Sequence, residues 1–211
     1  MQSLEAFLTR DRYVHVKRSL DAAGASLGLV LCLPLILACA AAVKLDSPGP
    51  ALFRQTRLGL NGKEFTMFKL RTMTIDAERA GVYELAKDPR VTRVGRILRR
   101  TSLDELPQFL NILRGEMSFI GPRPTLTYHP WNLDEYSEDQ LRRFQTRPGI
   151  TGLAQITGRK ELPWPERIAL DVQYVETLSL TTDVTIALRT VRSVLSATGN
   201  LNTEAQAHGA K

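Results

Sequence analysis

The sequence predicts an α+β protein: an N-terminal helix that engages a membrane, then a small domain of amphipathic helices around a short β-hairpin. Three observations carry this. Residues 22–43 form a run of 22 without a charged side chain, enough as a helix to match a hydrocarbon core of about 30 Å. Ser47-Pro48-Gly49-Pro50 then stops any helix, and beyond it short β-type runs alternate with helical apolar stripes. The chain has 211 residues, the length of one compact domain with an attachment.

Composition excludes several classes. A hydrophobic content of 43% beside 24% charged residues argues against a mostly disordered chain. Two cysteines rule out a disulfide scaffold or a Cys-rich zinc site. His15, His129 and His208 have no metal-ligand spacing. The net charge of +6 directs attention to anionic partners: lipid headgroups, nucleotides or nucleic acid.

The first element is the apolar run, preceded by Arg10, Arg12, Lys17 and Arg18 and followed by Lys44. On composition alone it reads as a transmembrane helix. Pro34 and the basic residues at both ends support another reading. The proline removes a backbone donor near the middle and bends the helix. Each arm is then about 15–18 Å long, too short to cross alone, and basic flanks on both sides suit a segment that dips in and returns. A signal peptide is the third reading, disfavoured because the apolar run exceeds the usual 7–15 residues. Cys32 and Cys39 lie about 10 Å apart along a straight helix, beyond disulfide reach.

Residues 51–55 and 65–70 read as strands, with Asn61-Gly62 as a hairpin turn signal between them. Helices are expected over 75–87, 91–100, 166–176 and 183–195, with a further apolar stripe at Leu106, Phe109, Leu110 and Leu113. In the last helix Val184, Leu188, Val191 and Leu195 share one side. Residues 197–211 read as a loose tail. The resulting division is a membrane segment over 1–46, a catalytic or interfacial domain over 47–196, and the tail.

The most informative string is Thr101-Ser102-Leu103-Asp104-Glu105-Leu106-Pro107. Pro107 belongs in a first helical turn. With Asp104 as N-cap it takes the third helical position; with Ser102 as N-cap, Ser102 and Glu105 form a capping box but Pro107 fits less well. Either way two carboxylates sit where free backbone N–H groups gather, a field that favours ionised acids and attracts phosphate. Such pairs are usually caps. Here they follow Arg90, Arg93, Arg96, Arg99 and Arg100 and precede Arg123 in Gly121-Pro122-Arg123-Pro124, Arg147 in Arg147-Pro148-Gly149-Ile150-Thr151-Gly152, and Arg159. Arginine forks bind phosphate oxygens bidentately, so the pattern suits a polyphosphate beside two carboxylates. Most of the arginine run reads as an interfacial helix on anionic lipid. The two glycine-rich nucleotide fingerprints are absent from the sequence.

Five motifs recur in order: Lys17-Arg18 before the proline-broken apolar run; Phe65-x-x-Phe68-Lys69-Leu70-Arg71-Thr72-Met73; Ser102-Leu103-Asp104-Glu105-Leu106-Pro107-Gln108; Met117-Ser118-Phe119-Ile120-Gly121-Pro122-Arg123-Pro124; and Arg147-Pro148-Gly149-Ile150-Thr151-Gly152. From about Lys17 to Leu195 the chain resembles the monotopic phosphoglycosyl transferases, bacterial sugar transferases that start glycoconjugate assembly on polyprenyl phosphate. Its size matches the family's minimal catalytic unit.

The resemblance implies a re-entrant helix broken at Pro34 and a cytoplasmic catalytic domain at the bacterial inner membrane. It implies Asp104 as nucleophile toward a UDP-sugar, UMP release, and transfer of the aspartyl-bound phosphosugar to polyprenyl (undecaprenyl) phosphate. Glu105 stands beside the nucleophile, and both carboxylates are the expected Mg²⁺ ligands. Lys69, Arg99, Arg123 and Arg159 match positive positions of the family's site, with Arg147 assisting, and Asp171 and Asp183 match acidic positions near it. The implied partners are UDP-sugar, polyprenyl phosphate and membrane lipid, with no nucleic acid, and a homo-oligomer is left open. Two residues depart from the pattern: Leu33 stands where serine often precedes the proline, and Leu153 where tryptophan is frequent.

Overall fold

A computed structural model describes residues 2–77, 81, 88–158 and 162–195. It is a mixed helix-and-sheet fold. The N-terminal helix α1 (Gln2–Asp46) runs 45 residues with Pro34 inside it, about 67 Å of helix at 1.5 Å per residue. It is a helix long and apolar enough to cross a membrane by length and composition.

Helix α1 packs on the rest of the chain at three levels. Tyr13 and Val14 meet a cluster of Ile120, Tyr174, Val175 and Ile186. One turn on, Lys17 pairs with Asp183 at 2.6 Å, and Asp21 accepts from the Phe119 N–H at 3.1 Å. Ala25 then joins Phe65, Met67, Ile112 and Met117. Gly24 and Gly28 have a physical reason on this face: a Cβ on either would come within 2.9 Å of the Phe119 or Phe109 ring. These rings pack edge-to-face at 5.4 Å, so the glycines open a groove for an aromatic pair. Past Pro34, Cys39 and Val43 join Leu70 and Leu98. Helix α1 runs through Pro34 without a break, and between Ala25 and Cys39 its Leu27, Val30, Leu31, Leu33, Leu35 and Leu37 are exposed.

Strands β1 (Leu52–Leu58) and β2 (Glu64–Leu70) pair antiparallel, Leu52 opposite Leu70 and Leu58 opposite Glu64. The Asn61-Gly62 signal is realised as a 3-10 turn with positive φ at both residues (55° and 71°), which Gly and Asn tolerate best. Both strands exceed the expected spans because the pairing continues toward the turn, as far as Leu58 opposite Glu64. Helix α2 (Arg93–Thr101) is capped by Thr92, whose side chain accepts from the Gly95 N–H. It is followed by a 3-10 helix (Leu103–Gln108) and by α3 (Phe109–Leu113). Strands β3 (Ser118–Ile120) and β4 (Gly149–Thr151) form a parallel pair that the sequence reading lacked. Three residues each is too short to show periodicity. Between them lies the short α4 (Glu138–Leu141), and beyond them α5 (Leu153–Thr157), α6 (Trp164–Glu176) and α7 (Leu180–Leu195).

The helix expected over 75–87 lies largely outside the described residues; Ile75 and Asp76 form a turn. The tail expected over 197–211 and Arg159 lie outside them as well. In α7 the side carrying Val184, Leu188 and Val191 is exposed, while Ile186 faces the core.

Candidate active site

The site is assembled by a reversal of the chain between two short helices. Ser102 ends α2 in the left-handed conformation (φ 58°), its N–H bonding back to the Arg99 carbonyl at 3.3 Å. The chain then re-enters as the 3-10 helix with Asp104 and Glu105 in its first turn and Pro107 buried inside. Neither capping arrangement expected from the sequence forms: Ser102 makes no side-chain cap bond, and Glu105 reaches Lys69 instead, with Oε1 to Nζ at 2.9 Å. The reason is long-range. Side chains alternate along β2, so Lys69 follows Phe65 and Met67 on one face and ends beside the 3-10 helix.

Asn111 locks this register. Fully buried, it accepts from the Phe68 N–H at 3.1 Å and donates to the Thr66 carbonyl at 2.7 Å and to Glu116 at 2.6 Å. The strand bearing Lys69 and the helices bearing Asp104 are thereby held as one unit. Arg99, in the last turn of α2, donates from Nε to Thr72 Oγ1 at 2.7 Å. Gly95 permits that approach, since a Cβ there would lie 2.1 Å from the Thr72 carbonyl oxygen.

Asp104 is buried. Burial pushes its carboxyl above the usual range, the Glu105 charge adds to this, and Lys69 and Arg99 pull it back. Burial likewise lowers the Arg99 guanidinium, opposed by Asp104. Asp104 therefore lies in the combined field of one ammonium, one guanidinium and a second carboxylate. Beside it opens a shallow cleft lined by Arg57, Met67, Lys69, Glu105, Gln108, Arg123, Pro124, Gly149 and Ile150.

The two proline-arginine motifs meet at this cleft. A Cβ on Gly121, Gly149 or Gly152 would fall 2.1–2.3 Å from backbone atoms of the facing motif, a distance only glycine allows. This contact pairs β3 with β4 and delivers Arg123 to the cleft rim. Behind it, the fully buried Arg143 donates from Nη2 to the Arg123 carbonyl at 2.8 Å and to Asp171 at 2.5 Å. Burial raises the Asp171 carboxyl, with Arg143 the largest opposing influence. Asp171 thus braces the Arg123 loop from the protein side.

Of the residues singled out from the sequence, Lys69, Arg99, Asp104, Glu105 and Arg123 come together. Asp171 stands behind Arg123. Asp183 binds Tyr13, Lys17 and Tyr174, which joins α1 to α6 and α7. Arg147 donates to the Gly115 carbonyl at 2.8 Å on the side facing Arg18, and its guanidinium is lowered by burial and by Arg18. Pro34 is exposed in α1. The sequence reading assigned no role to Arg57, Gln108, Asn111 or Arg143. Arg57 sits where strand alternation points toward the Arg123 loop, donating to the Pro124 carbonyl at 3.2 Å. Gln108 follows Glu105 by three residues, one full turn of a 3-10 helix.

Two carboxylates beside ammonium and guanidinium groups, on a domain clasped by an apolar helix, form a site chemically suited to a phosphate-bearing ligand near a lipid surface. Residues 12–197 match the family model described as bacterial sugar transferase, and the chain belongs to that family. It is 50% identical over 187 residues to the UDP-glucose:undecaprenyl-phosphate glucose-1-phosphate transferase of Caulobacter vibrioides, covering 85% of this chain and 70% of that one. The protein of the same name in Escherichia coli is 43% identical over 182 residues, covering 83% of this chain and 39% of its own length. The UDP-N-acetylgalactosamine-undecaprenyl-phosphate N-acetylgalactosaminephosphotransferase of Aeromonas hydrophila is 37% identical over 200 residues, 93% of this chain and 47% of that protein. The family that the ordered motifs resemble is the family found, and the chain is a transferase of that kind.

Proposed function

We propose that this transferase moves a sugar-1-phosphate from a UDP-sugar to undecaprenyl or a related polyprenyl phosphate through a covalent intermediate on Asp104. The observation that carries the reading is buried Asp104 with the half-buried Glu105 next to it, beside Lys69 and Arg99, at a cleft edged by Arg57 and Arg123.

An Asp104 carboxylate oxygen attacks the β-phosphorus. The bond from that phosphorus to the oxygen bridging the two phosphates breaks, and UMP leaves with the oxygen. A phosphate oxygen of the polyprenyl acceptor then attacks the same phosphorus, displaces the Asp104 carboxylate and yields polyprenyl-diphospho-sugar. A carboxylate is a weak nucleophile, so the cations around it must first offset the diphosphate's negative charge. Lys69, with Glu105 fixing its Nζ, and Arg99 oppose the upward pull of burial on the Asp104 carboxyl. Arg123 and Arg57 meet the phosphate oxygens across the cleft.

Magnesium fits the donor set. The ion takes one or two carboxylates and completes its shell with phosphate oxygens and water, and Asp104 with Glu105 is such a pair; among the described residues no group of three or more metal-binding side chains occurs. Glu105 and Asp104 would hold it, and it would supply charge neutralisation at the diphosphate.

The acceptor's phosphate lies at headgroup level, so the site belongs at the membrane surface. A re-entrant α1 accounts for the packing. The helix docks on the same domain at Ala25 and again at Cys39 and Val43, and the stretch between Ala25 and Cys39, which carries the exposed Leu27, Val30, Leu31, Leu33, Leu35 and Leu37, is about 20 Å of helix, short of a core of about 30 Å. A nucleotide-sugar donor puts this domain on the cytoplasmic face of the bacterial inner membrane. Cysteines introduced at residues 5 and 200 are then labelled from the same side, and labelling from opposite sides defeats the re-entrant reading.

The central test is UMP release from a panel of UDP-sugars with Mg²⁺ and polyprenyl phosphate. Asp104→Asn abolishes release, and a phosphosugar stays on the wild-type protein when acceptor is withheld. Undiminished turnover by Asp104→Asn removes Asp104 from the chemistry.

A further inference from the structure

We infer that Gln108 is a substrate-binding residue whose side-chain Nε2 donates to an oxygen of the UDP-sugar in the cleft beside Asp104. The inference rests on the reading that the cleft takes a UDP-sugar.

Gln108 is 2% exposed and lines the cleft together with Lys69, Glu105 and Arg123. Its Nε2 is buried and has no hydrogen-bond partner among the described residues. A buried donor left unmet is destabilising, whereas an apolar side chain of the same shape is tolerated in such a place. Folding therefore gains nothing from this N–H, and a ligand in the cleft would.

Two neighbouring side chains already have protein partners: Lys69 pairs with Glu105, and Arg57 donates from Nη1 to the Pro124 carbonyl. Gln108 lies three residues after Glu105 in the 3-10 helix. At 3.0 residues per turn and about 2 Å rise, the two side chains stand on one face roughly 6 Å apart. The helix thus presents a carboxylate and a neutral donor to the same cleft, with the buried Asp104 preceding both.

Nε2 only donates, so its partner is an acceptor oxygen. The cleft already carries positive charge at Lys69, Arg57 and Arg123. A neutral N–H adds little charge there, but it fixes direction, setting the phosphosugar relative to Asp104. A phosphoryl oxygen and a sugar hydroxyl share this acceptor chemistry, and UDP without a sugar separates them.

The test compares wild type, Gln108→Met and Gln108→Leu as full chains in lipid nanodiscs with Mg²⁺ and polyprenyl phosphate. It measures unliganded Tm, KM for the preferred UDP-sugar, and inhibition by UDP. For Gln108→Met the unliganded Tm is unchanged or higher, while KM rises about tenfold, the worth of one hydrogen bond to a ligand. A parallel weakening of UDP inhibition assigns the contact to the diphosphate; unchanged UDP inhibition with raised KM assigns it to the sugar. KM within twofold of wild type overturns the inference and leaves the transferase reading intact. A fall in unliganded Tm in step with activity, in both variants, assigns Gln108 to the fold and also overturns it. Failure of wild type to release UMP from any UDP-sugar overturns both readings.

Discussion

Asp183 and Asp104 are both buried acids, 6% and 8% exposed, in opposite circumstances. Asp183 is saturated: Tyr13 and Lys17 meet Oδ2 at 2.6 Å each, and Tyr174 meets Oδ1 at 2.7 Å. Those donors come from α1 and α6, so the carboxylate works as a joint between the membrane helix and the domain. Asp104 has cations nearby, yet among the described residues no side chain donates a hydrogen bond to it, and burial raises its carboxyl. A carboxylate whose lone pairs are all occupied builds structure. One that is buried among charges and under-bonded is available for chemistry.

Substituting Asp104 and Asp183 should therefore separate activity from stability. The largest expected effect is Asp104→Asn, which lowers UMP release by at least about 10³-fold, as loss of a covalent nucleophile does. The same change raises unliganded Tm at pH 7. Because the folded-state pKa is raised, ionised Asp104 opposes folding above that pKa and stops doing so as the pH falls through it. The Tm advantage of Asp104→Asn is thus present at neutral pH and fades toward pH 4. A Tm loss at neutral pH would show that Lys69 and Arg99 outweigh burial.

Next comes Asp171→Ala, which leaves Arg143 buried without its carboxylate and costs about 3–5 kcal/mol. Chemical denaturation reads the loss, and Arg123 loses its brace, so UDP-sugar KM rises in the fraction that folds. Asp183→Asn ranks third. It keeps the size of the side chain but turns one acceptor oxygen into a donor and strands the Lys17 charge, at about 2–3 kcal/mol, with kcat of the folded enzyme retained. A selective loss of kcat would move Asp183 from the joint to the chemistry. The smallest effect is Tyr174→Phe, which removes one donor from Asp183 at about 1 kcal/mol, a Tm drop of about 2–4 °C for a chain of this size.

Much of the fold was legible because its signals are local. Short β-type runs marked β1 and β2, a turn pair marked the hairpin, and helical spacing marked α2, α6 and α7, although α7 extends back to Leu180. The β3–β4 pair was not legible, since its strands have three residues each and pair across about 30 residues. At the site, the Asp104–Glu105 pair stood out by residue type, and Lys69 entered through the family resemblance. The resemblance also grouped Asp171 and Asp183 with them, and nothing in a carboxylate's own sequence neighbourhood states which distant donors will occupy it. Gln108 and Asn111 were passed over for the complementary reason: an uncharged amide becomes informative only when its partners, or their absence, are known.

By itself the sequence determined the apolar helix with its proline, the hairpin, the adjacent acids and the family. Each depends on residue type and short-range spacing. Tertiary structure decided which arginines face the cleft, that Asp171 and Asp183 are braces, and that Glu105 pairs with Lys69 rather than capping its helix. Those outcomes depend on contacts between residues 28 to 170 positions apart, and burial and partner geometry at such separations are settled only when the whole chain packs.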